Sequence, residues 1–334
     1  MRIAIPVVLG LVLSLAACTA DGDTSDFTDD TDVVDTDTGD TDTDTGETDT
    51  DTGETDTDTG DTGPDPVAEM CAEWGTRRAN RTEGLWSGNV ATCDPGTLDA
   101  TGRQNILDAV NAHRWLAGQS DVAQDARLNA MAQECSLMMR ANSRLSHNPG
   151  TDWACYSTDG ADSAGSSNIS TAQGVLSVDM YMVDFGAGNQ ASLGHRRWIL
   201  ANGLGPIGVA STDRHSCLQV IGGSGPDEKD WVAWPPEGLI PMDVFDAVFG
   251  ENVDDTGWSI QSDTIALNGA TVTVTRDGLD LAVDTRDLLQ WYGSRWAIAF
   301  RPNGWSTVPG TYEISVDNIS APFDYTVEVV DCDG

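Results

Sequence analysis

Two of the chain's four histidines stand in settings that invite chemistry: Leu145-Ser146-His147 and Gly194-His195-Arg196-Arg197-Trp198-Ile199-Leu200. A neutral imidazole can ligate a metal or accept a proton near neutral pH, so two of them facing each other can serve either purpose. Between them runs Ser166-Ser167-Asn168-Ile169, a source of hydroxyl groups. Ser167 lacks the Gly-x-Ser-x-Gly surroundings that expose a nucleophile on a sharp strand-to-helix turn. The other two histidines have ordinary readings: His113 lies in a helix beside Arg114, partly exposed or packed, and His215 occupies a turn in Thr212-Asp213-Arg214-His215-Ser216.

These residues need a scaffold, and the apolar periodicity outlines one. Ile106, Val110 and Ala117 begin a helical stripe that Asp99 or Thr101 can cap. Leu128, Met131, Cys135 and Met138 recur at three and four residues, which predicts a second helix. A third, starting near Thr171, gathers Val175, Val178, Met182 and Phe185 on one face. Short apolar runs at Ile207–Ala210, Cys217–Ile221 and Trp231–Trp234, separated by turn-rich spacers, read as a small antiparallel sheet.

From about Trp258 the period changes to two. Val272 and Val274 alternate with threonines, Asp277-Gly278 supplies a hairpin turn, and Trp296, Ile298 and Phe300 alternate next. Tyr312, Ile314 and Val316, then Phe323, Tyr325, Val327 and Val329, continue the pattern. About seven short strands of this kind predict a β-sandwich of immunoglobulin-like size. Its residues show no cluster suited to chemistry, so a spacer or adhesion module is expected.

In order, Asn111-Ala112-His113-Arg114, the Leu128–Met139 helix, Leu145-Ser146-His147, Ser167-Asn168-Ile169, Gly194-His195-Arg196 and Ile207-Gly208-Val209 resemble the CAP superfamily. That superfamily comprises the cysteine-rich secretory proteins, antigen 5 and pathogenesis-related 1. The resemblance covers about residues 103–212 and implies an α+β fold: an α-β-α sandwich, followed here by the all-β sandwich. It also implies a surface cleft in which His147 and His195 face each other. Relatives usually add two glutamates, a set able to hold a divalent cation. The matching positions here are Ser167, with no carboxylate, and Asp184, with a shorter one. Two imidazoles and one shortened carboxylate make a poor match to the three protein ligands usual at catalytic zinc, so no cofactor is required and a divalent cation is expected to bind weakly through His147 and His195. A hydrolytic alternative uses the same atoms, with Ser167 as nucleophile, a histidine as base and Asp184 orienting it. Binding of a small lipid, glycan, cation or protein partner is the leading expectation, ahead of an exported hydrolase or peptidase.

The N-terminal region reads as a sorting signal. Arg2, an apolar run from Ile3 to Leu15, and Leu15-Ala16-Ala17-Cys18 resemble a bacterial lipoprotein leader, implying cleavage before Cys18 and lipid on its sulfur. The run is shorter than the roughly 20 residues a spanning helix needs. The expected location is therefore an outer membrane or cell surface, reached through lipid on Cys18. Residues 18–66 form an acidic linker whose core, residues 35–62, is four copies of Asp-Thr-Asp-Thr-Gly-(Asp/Glu)-Thr. With no apolar residue to bury, such repeats are expected to form an extended, disordered stalk. The spacing lacks the third oxygen ligand and the bidentate Glu of an EF-hand loop.

The whole chain has a formal net charge of −37, and residues from Val67 onward still carry 35 acids against 16 bases. That balance disfavours nucleic acid as a partner. The expected organisation is a leader at 1–17, the linker at 18–66, an extension at 67–97, the CAP domain at 98–240 and the β-sandwich at 241–334. Six cysteines besides Cys18 suggest three disulfides in an oxidising compartment, with 15 pairings formally possible. The pairing expected from local spacing is Cys71–Cys93 and Cys135–Cys155, leaving Cys217–Cys332 to join the two regions.

Overall fold

The structure, a computed structural model, describes residues 65–332. The leader, Cys18 and the acidic repeats lie outside the described residues.

Helix α1 (Pro66–Arg77) opens with Asp65 accepting from the Val67 N–H and with proline in its first turn, and it buries Met70 and Trp74. Helix α2 (Ala100–Leu116) is capped by Asp99, which accepts from the Gly102 N–H at 2.7 Å. Asp125 and Ser157 cap α3 (Ala126–Asn142) and α4 (Thr158–Gly165) in the same way. Then follow β1 (Ser167–Ser170), α5 (Gly174–Val183), α6 (Gly194–Ile199), β2 (Gly208–Ser211) and β3 (Ser216–Gln219). The three strands form an antiparallel sheet in the order β1-β3-β2.

Strand geometry sends successive side chains to opposite faces, and both faces here are covered. Val209 and Leu218 join Ile106, Val110, Val175 and Val178 from α2 and α5 in one core. Ile169, Ala210 and Cys217 pack instead with Ala132, Cys135, Met138 and Met139 of α3 and with Ala164 of α4. The expected α-β-α layering is present. The three expected helices are present too, although α5 ends at Val183 and leaves Phe185 beyond it.

The cysteines pair differently from the sequence expectation. The disulfides are Cys71–Cys332, Cys93–Cys155 and Cys135–Cys217, so Cys71–Cys93, Cys135–Cys155 and Cys217–Cys332 are all corrected. Cys135 belongs to the stripe of α3 that faces the sheet, where the inward side of β3 presents Cys217. Cys71 sits on α1, which packs beside β5 (Gly238–Pro241), and the C-terminal strand hydrogen-bonded to β5 delivers Cys332 there. Spacing along the chain carries none of this information, because each bond is set by tertiary packing.

The rest of the chain builds two facing sheets. One has the order β4-β6-β10-β9, from Val232–Trp234, Trp258–Ser262, Trp296–Pro302 and Val283–Asp287. The other has the order β5-β12-β11-β7-β8, from Gly238–Pro241, Phe323–Val330, Gly310–Asp317, Thr271–Arg276 and Leu279–Leu281. A one-turn helix, α7 (Val253–Thr256), precedes β6. Trp258 links the two sheets, with its ring centroid 5.8 Å from Phe300 and 5.5 Å from Tyr312. Asp277 and Gly278 have φ of 54° and 73°, the positive pair that a two-residue hairpin turn requires.

Two sequence expectations change. The run ending at Trp234 pairs with β6 rather than with the first sheet, and β5 pairs with β12, so both strands belong to the sandwich. In β10, Ala297 and Ala299 are buried along with Ile298 and Phe300. Alternation fails there because the second face of that sheet lies against the helical region, where Leu193, just before α6, clusters with both alanines and with Leu288.

Candidate functional site

His195 is the second residue of α6, and its position is set from below. Asp184 ends α5 with φ of 57°, a left-handed conformation that aspartate tolerates better than most residues. This turns its carboxylate under the start of α6. Oδ2 accepts the His195 N–H at 2.9 Å and the Arg196 N–H at 3.3 Å, while Oδ1 lies 2.7 Å from His195 Nδ1. A carboxylate only accepts, so the imidazole proton resides on Nδ1 and the lone pair of neutral His195 is on Nε2. Tyr181 stacks on the ring with centroids 5.1 Å apart. Burial pushes the Tyr181 hydroxyl well above the usual phenol range, so the ring stays neutral.

His147 is held by the same logic. Its Nδ1 lies 2.9 Å from the carbonyl oxygen of Ala164 at the end of α4, which makes Nδ1 the donor and leaves Nε2 free to accept. Asn168 of β1 donates to the His195 carbonyl at 3.0 Å and ties the strand to α6.

His147 and His195, together with Asn189, line two adjoining hollows of about 310 and 440 Å³. The smaller is apolar, with Leu145, Ile169, Met180 and Phe185 in its wall. The larger is more polar and includes Ser167, Asn168 and Ser192. Of the four expected site residues, His147, Ser167 and His195 meet at this cleft. Asp184 does not line it, being only 1% exposed beneath α6. Ser167 Oγ pairs with Ser163 Oγ at 3.3 Å rather than with either imidazole.

The donor set does not fit a tightly held metal. Two Nε2 atoms face the cleft, but Oδ1 and Oδ2 of Asp184 are already engaged by the ring and backbone of α6. Among the described residues, no group of three or more His, Cys, Asp or Glu side chains is placed to hold a metal ion.

Sequence reasoning missed part of the site. Trp291 and Tyr292, on the loop between β9 and β10, line the larger hollow, so the sandwich supplies one of its walls. Arg197 holds that loop, donating from Nη1 to the Leu289 carbonyl at 2.6 Å and from Nη2 to the Ser294 carbonyl at 3.1 Å. Its neighbour Arg196 is fully buried and donates to the carbonyls of Met182, Val183 and Gly257. Burial lowers the Arg196 pKa to about 10, which leaves it charged at neutral pH. The adjacent arginines after His195 were the available signal, since two buried guanidiniums must find many acceptors.

The other histidines lie away from the cleft. His113 is buried between Trp74 and Trp234, and His215 is buried in the turn between β2 and β3.

Residues 107–217 match the family model described as CAP: Cysteine-rich secretory protein family. The match runs from within α2 into β3 and contains His147, Ser167, Asp184 and His195. It supports a CAP domain over that part of the chain. A search of curated proteins finds no match to the chain.

Proposed function

We propose that this chain is an exported, surface-tethered CAP protein that binds a small ligand in the cleft between His147 and His195. One observation carries the reading. Both imidazoles have Nδ1 tied to a fixed acceptor, so both keep Nε2 available to a bound molecule. A site with aligned acceptors and a mixed apolar and polar lining suits recognition of a small molecule. A divalent cation bound at the two Nε2 atoms would be weakly held and dispensable.

Two features support export and tethering. All six cysteines among the described residues are paired, as befits an oxidising compartment. That leaves Cys18, in Leu15-Ala16-Ala17-Cys18, for lipid.

The test is a thermal-shift panel of saccharides, medium-chain fatty acids and divalent cations on the full-length chain. A stabilising compound whose effect disappears in His147→Asn and in His195→Asn supports the reading. A stabilising compound that acts equally on both variants binds elsewhere and overturns it.

A second reading, hydrolysis, draws on the Asp184–His195 pair, which has the orientation of a general base. The Ser163 bond at Ser167 speaks for binding instead. Ester or peptide turnover that His195→Ala abolishes would reverse that preference.

A further inference from the structure

The loop between β9 and β10 is built with unusual care for a surface segment. Trp291 has φ of 68°, a left-handed conformation that a bulky residue rarely adopts, and it is 67% exposed. Such strain persists only where surrounding contacts over-determine it, and it concentrates at binding sites. Here those contacts are explicit. The Trp291 N–H donates to the Ser294 carbonyl at 3.0 Å, and the Leu289 N–H donates to the Ala191 carbonyl at 2.9 Å. Arg197 grips both ends of the loop from α6. Gly293 comes so close to Arg197 that a Cβ there would fall 2.2 Å from the Arg197 carbonyl oxygen.

The result is a fixed aromatic pair beside His195. A Cβ on Gly194 would meet the Tyr292 ring at 2.6 Å, so that ring rests directly on the first residue of α6. The Arg295 guanidinium sits over Trp296, its carbon 4.1 Å from that ring centroid, and reaches the Trp291 indole at 5.5 Å. That one contact leaves most of the indole uncovered, and Trp291 is both largely exposed and part of the wall of the larger hollow.

Chemistry narrows the ligand. Around the hollow of about 440 Å³, the aromatic pair is joined by the hydroxyls of Ser167 and Ser192 and the amides of Asn168 and Asn189. These groups both donate and accept, which matches a ligand rich in hydroxyls. The lining contains no carboxylate, lysine or arginine, so a strongly charged ligand would find no fixed countercharge there. A pyranose ring with equatorial hydroxyls has an apolar C–H face to lay on an indole and a polar edge to face the amides.

We propose that Trp291 and Tyr292 form a stacking platform for a neutral, β-linked saccharide whose polar edge enters the His147–His195 cleft. This rests on the reading of that cleft as a ligand site.

The test uses the full-length chain with cellotriose and tri-N-acetylchitotriose, followed by calorimetry and by indole fluorescence. Expected is saturable binding of at least one probe, about tenfold weaker in Trp291→Ala. The melting temperature should not change, because the side chain is mostly exposed. Equal affinity in Trp291→Ala overturns the platform, as does failure of both probes to bind at ~10 mM.

The two proposals fail separately. Saccharide binding lost in Trp291→Ala but retained in His147→Asn and His195→Asn keeps the platform and removes the histidine cleft. A ligand that depends on both histidines and ignores Trp291→Ala, with neither saccharide bound, keeps the cleft and removes the platform. If neither probe binds and Trp291→Ala instead abolishes self-association in sedimentation, the aromatic pair is a protein-docking face and the saccharide proposal falls.

Discussion

Asp184 Oδ1 stands 2.7 Å from Nδ1 of His195, and Oδ2 of the same carboxylate accepts the His195 backbone N–H. One side chain therefore fixes the helix start, the ring orientation and the tautomer of the histidine it supports. A glutamate reaching into the cleft would offer a metal its oxygens. The shorter aspartate, buried under α6, spends them on His195.

Asp184→Asn separates these roles, since asparagine also tolerates the left-handed backbone at this position. The amide keeps an oxygen for the backbone N–H groups but turns an NH₂ toward Nδ1. The expected outcome is a switch of neutral His195 to the Nε2–H tautomer, read from imidazole nitrogen shifts by NMR. Stability should fall by ~1–3 kcal/mol in urea unfolding. An unchanged tautomer would show that Asp184 does not control the ring.

Arg196 joins the two regions through five acceptors: the carbonyls of Met182, Val183 and Gly257 and the hydroxyls of Thr256 and Ser259. Arg196→Met fills similar space but strands those buried carbonyls. We expect a loss of at least ~3 kcal/mol by urea denaturation. The wild-type chain should unfold in one transition, because the α-β-α layers and the sandwich share this buried guanidinium. Two separate transitions in wild type would contradict that coupling.

Much of this organisation was legible in sequence where local physics dominates. The stripes of α2, α3 and α5 follow from spacing at three and four residues, and the alternation of Tyr312, Ile314 and Val316 follows from period two. Asp277-Gly278 announced its hairpin because few residues accept two positive φ values. His147 and His195 were legible through the order of short motifs around them. What was hidden depends on contacts distant in sequence. Trp291 and Tyr292 reach the cleft only because Arg197 binds a loop some 95 residues further along the chain. Trp234 looked like a strand of the first sheet because a short apolar run does not reveal its partner. Cys135 and Cys217 likewise meet only once α3 lies across β3.

The disulfides should differ in their response to mild reductant. Cys135 and Cys217 are fully buried between α3 and the sheet, whereas Cys93 and Cys332 are exposed. Thiol–disulfide exchange requires access to sulfur. Peptide mapping after brief treatment of the native chain should show Cys93–Cys155 and Cys71–Cys332 opened, with Cys135–Cys217 intact. Cys135→Ala with Cys217→Ala should cost ~2–5 kcal/mol, seen as a lower denaturation midpoint. Recovery of a Cys135–Cys155 peptide would refute the connectivity.

Acid should weaken the fold through histidines outside the cleft. His113 is 5% exposed, wedged between Trp74 and Trp234, with Nε2 3.6 Å from Asp179 Oδ1 and neither ring nitrogen hydrogen-bonded. Burial lowers its pKa below the ordinary value of about 6.5, and burial lowers that of His215 as well. At pH 7.5 both residues are neutral whether the chain is folded or unfolded, and neither adds a proton-linked penalty to folding. As pH falls below about 6.5, the unfolded chain binds protons that the folded chain refuses, so stability declines with decreasing pH. The decline from each histidine ends once pH drops below its depressed folded pKa. His113→Phe keeps an aromatic ring between the two tryptophans and removes one titrating group. Its urea-unfolding free energy should therefore lose less than that of wild type between pH 7.5 and pH 5. A variant with the same pH slope as wild type would show that His113 does not titrate differently in the folded and unfolded chain.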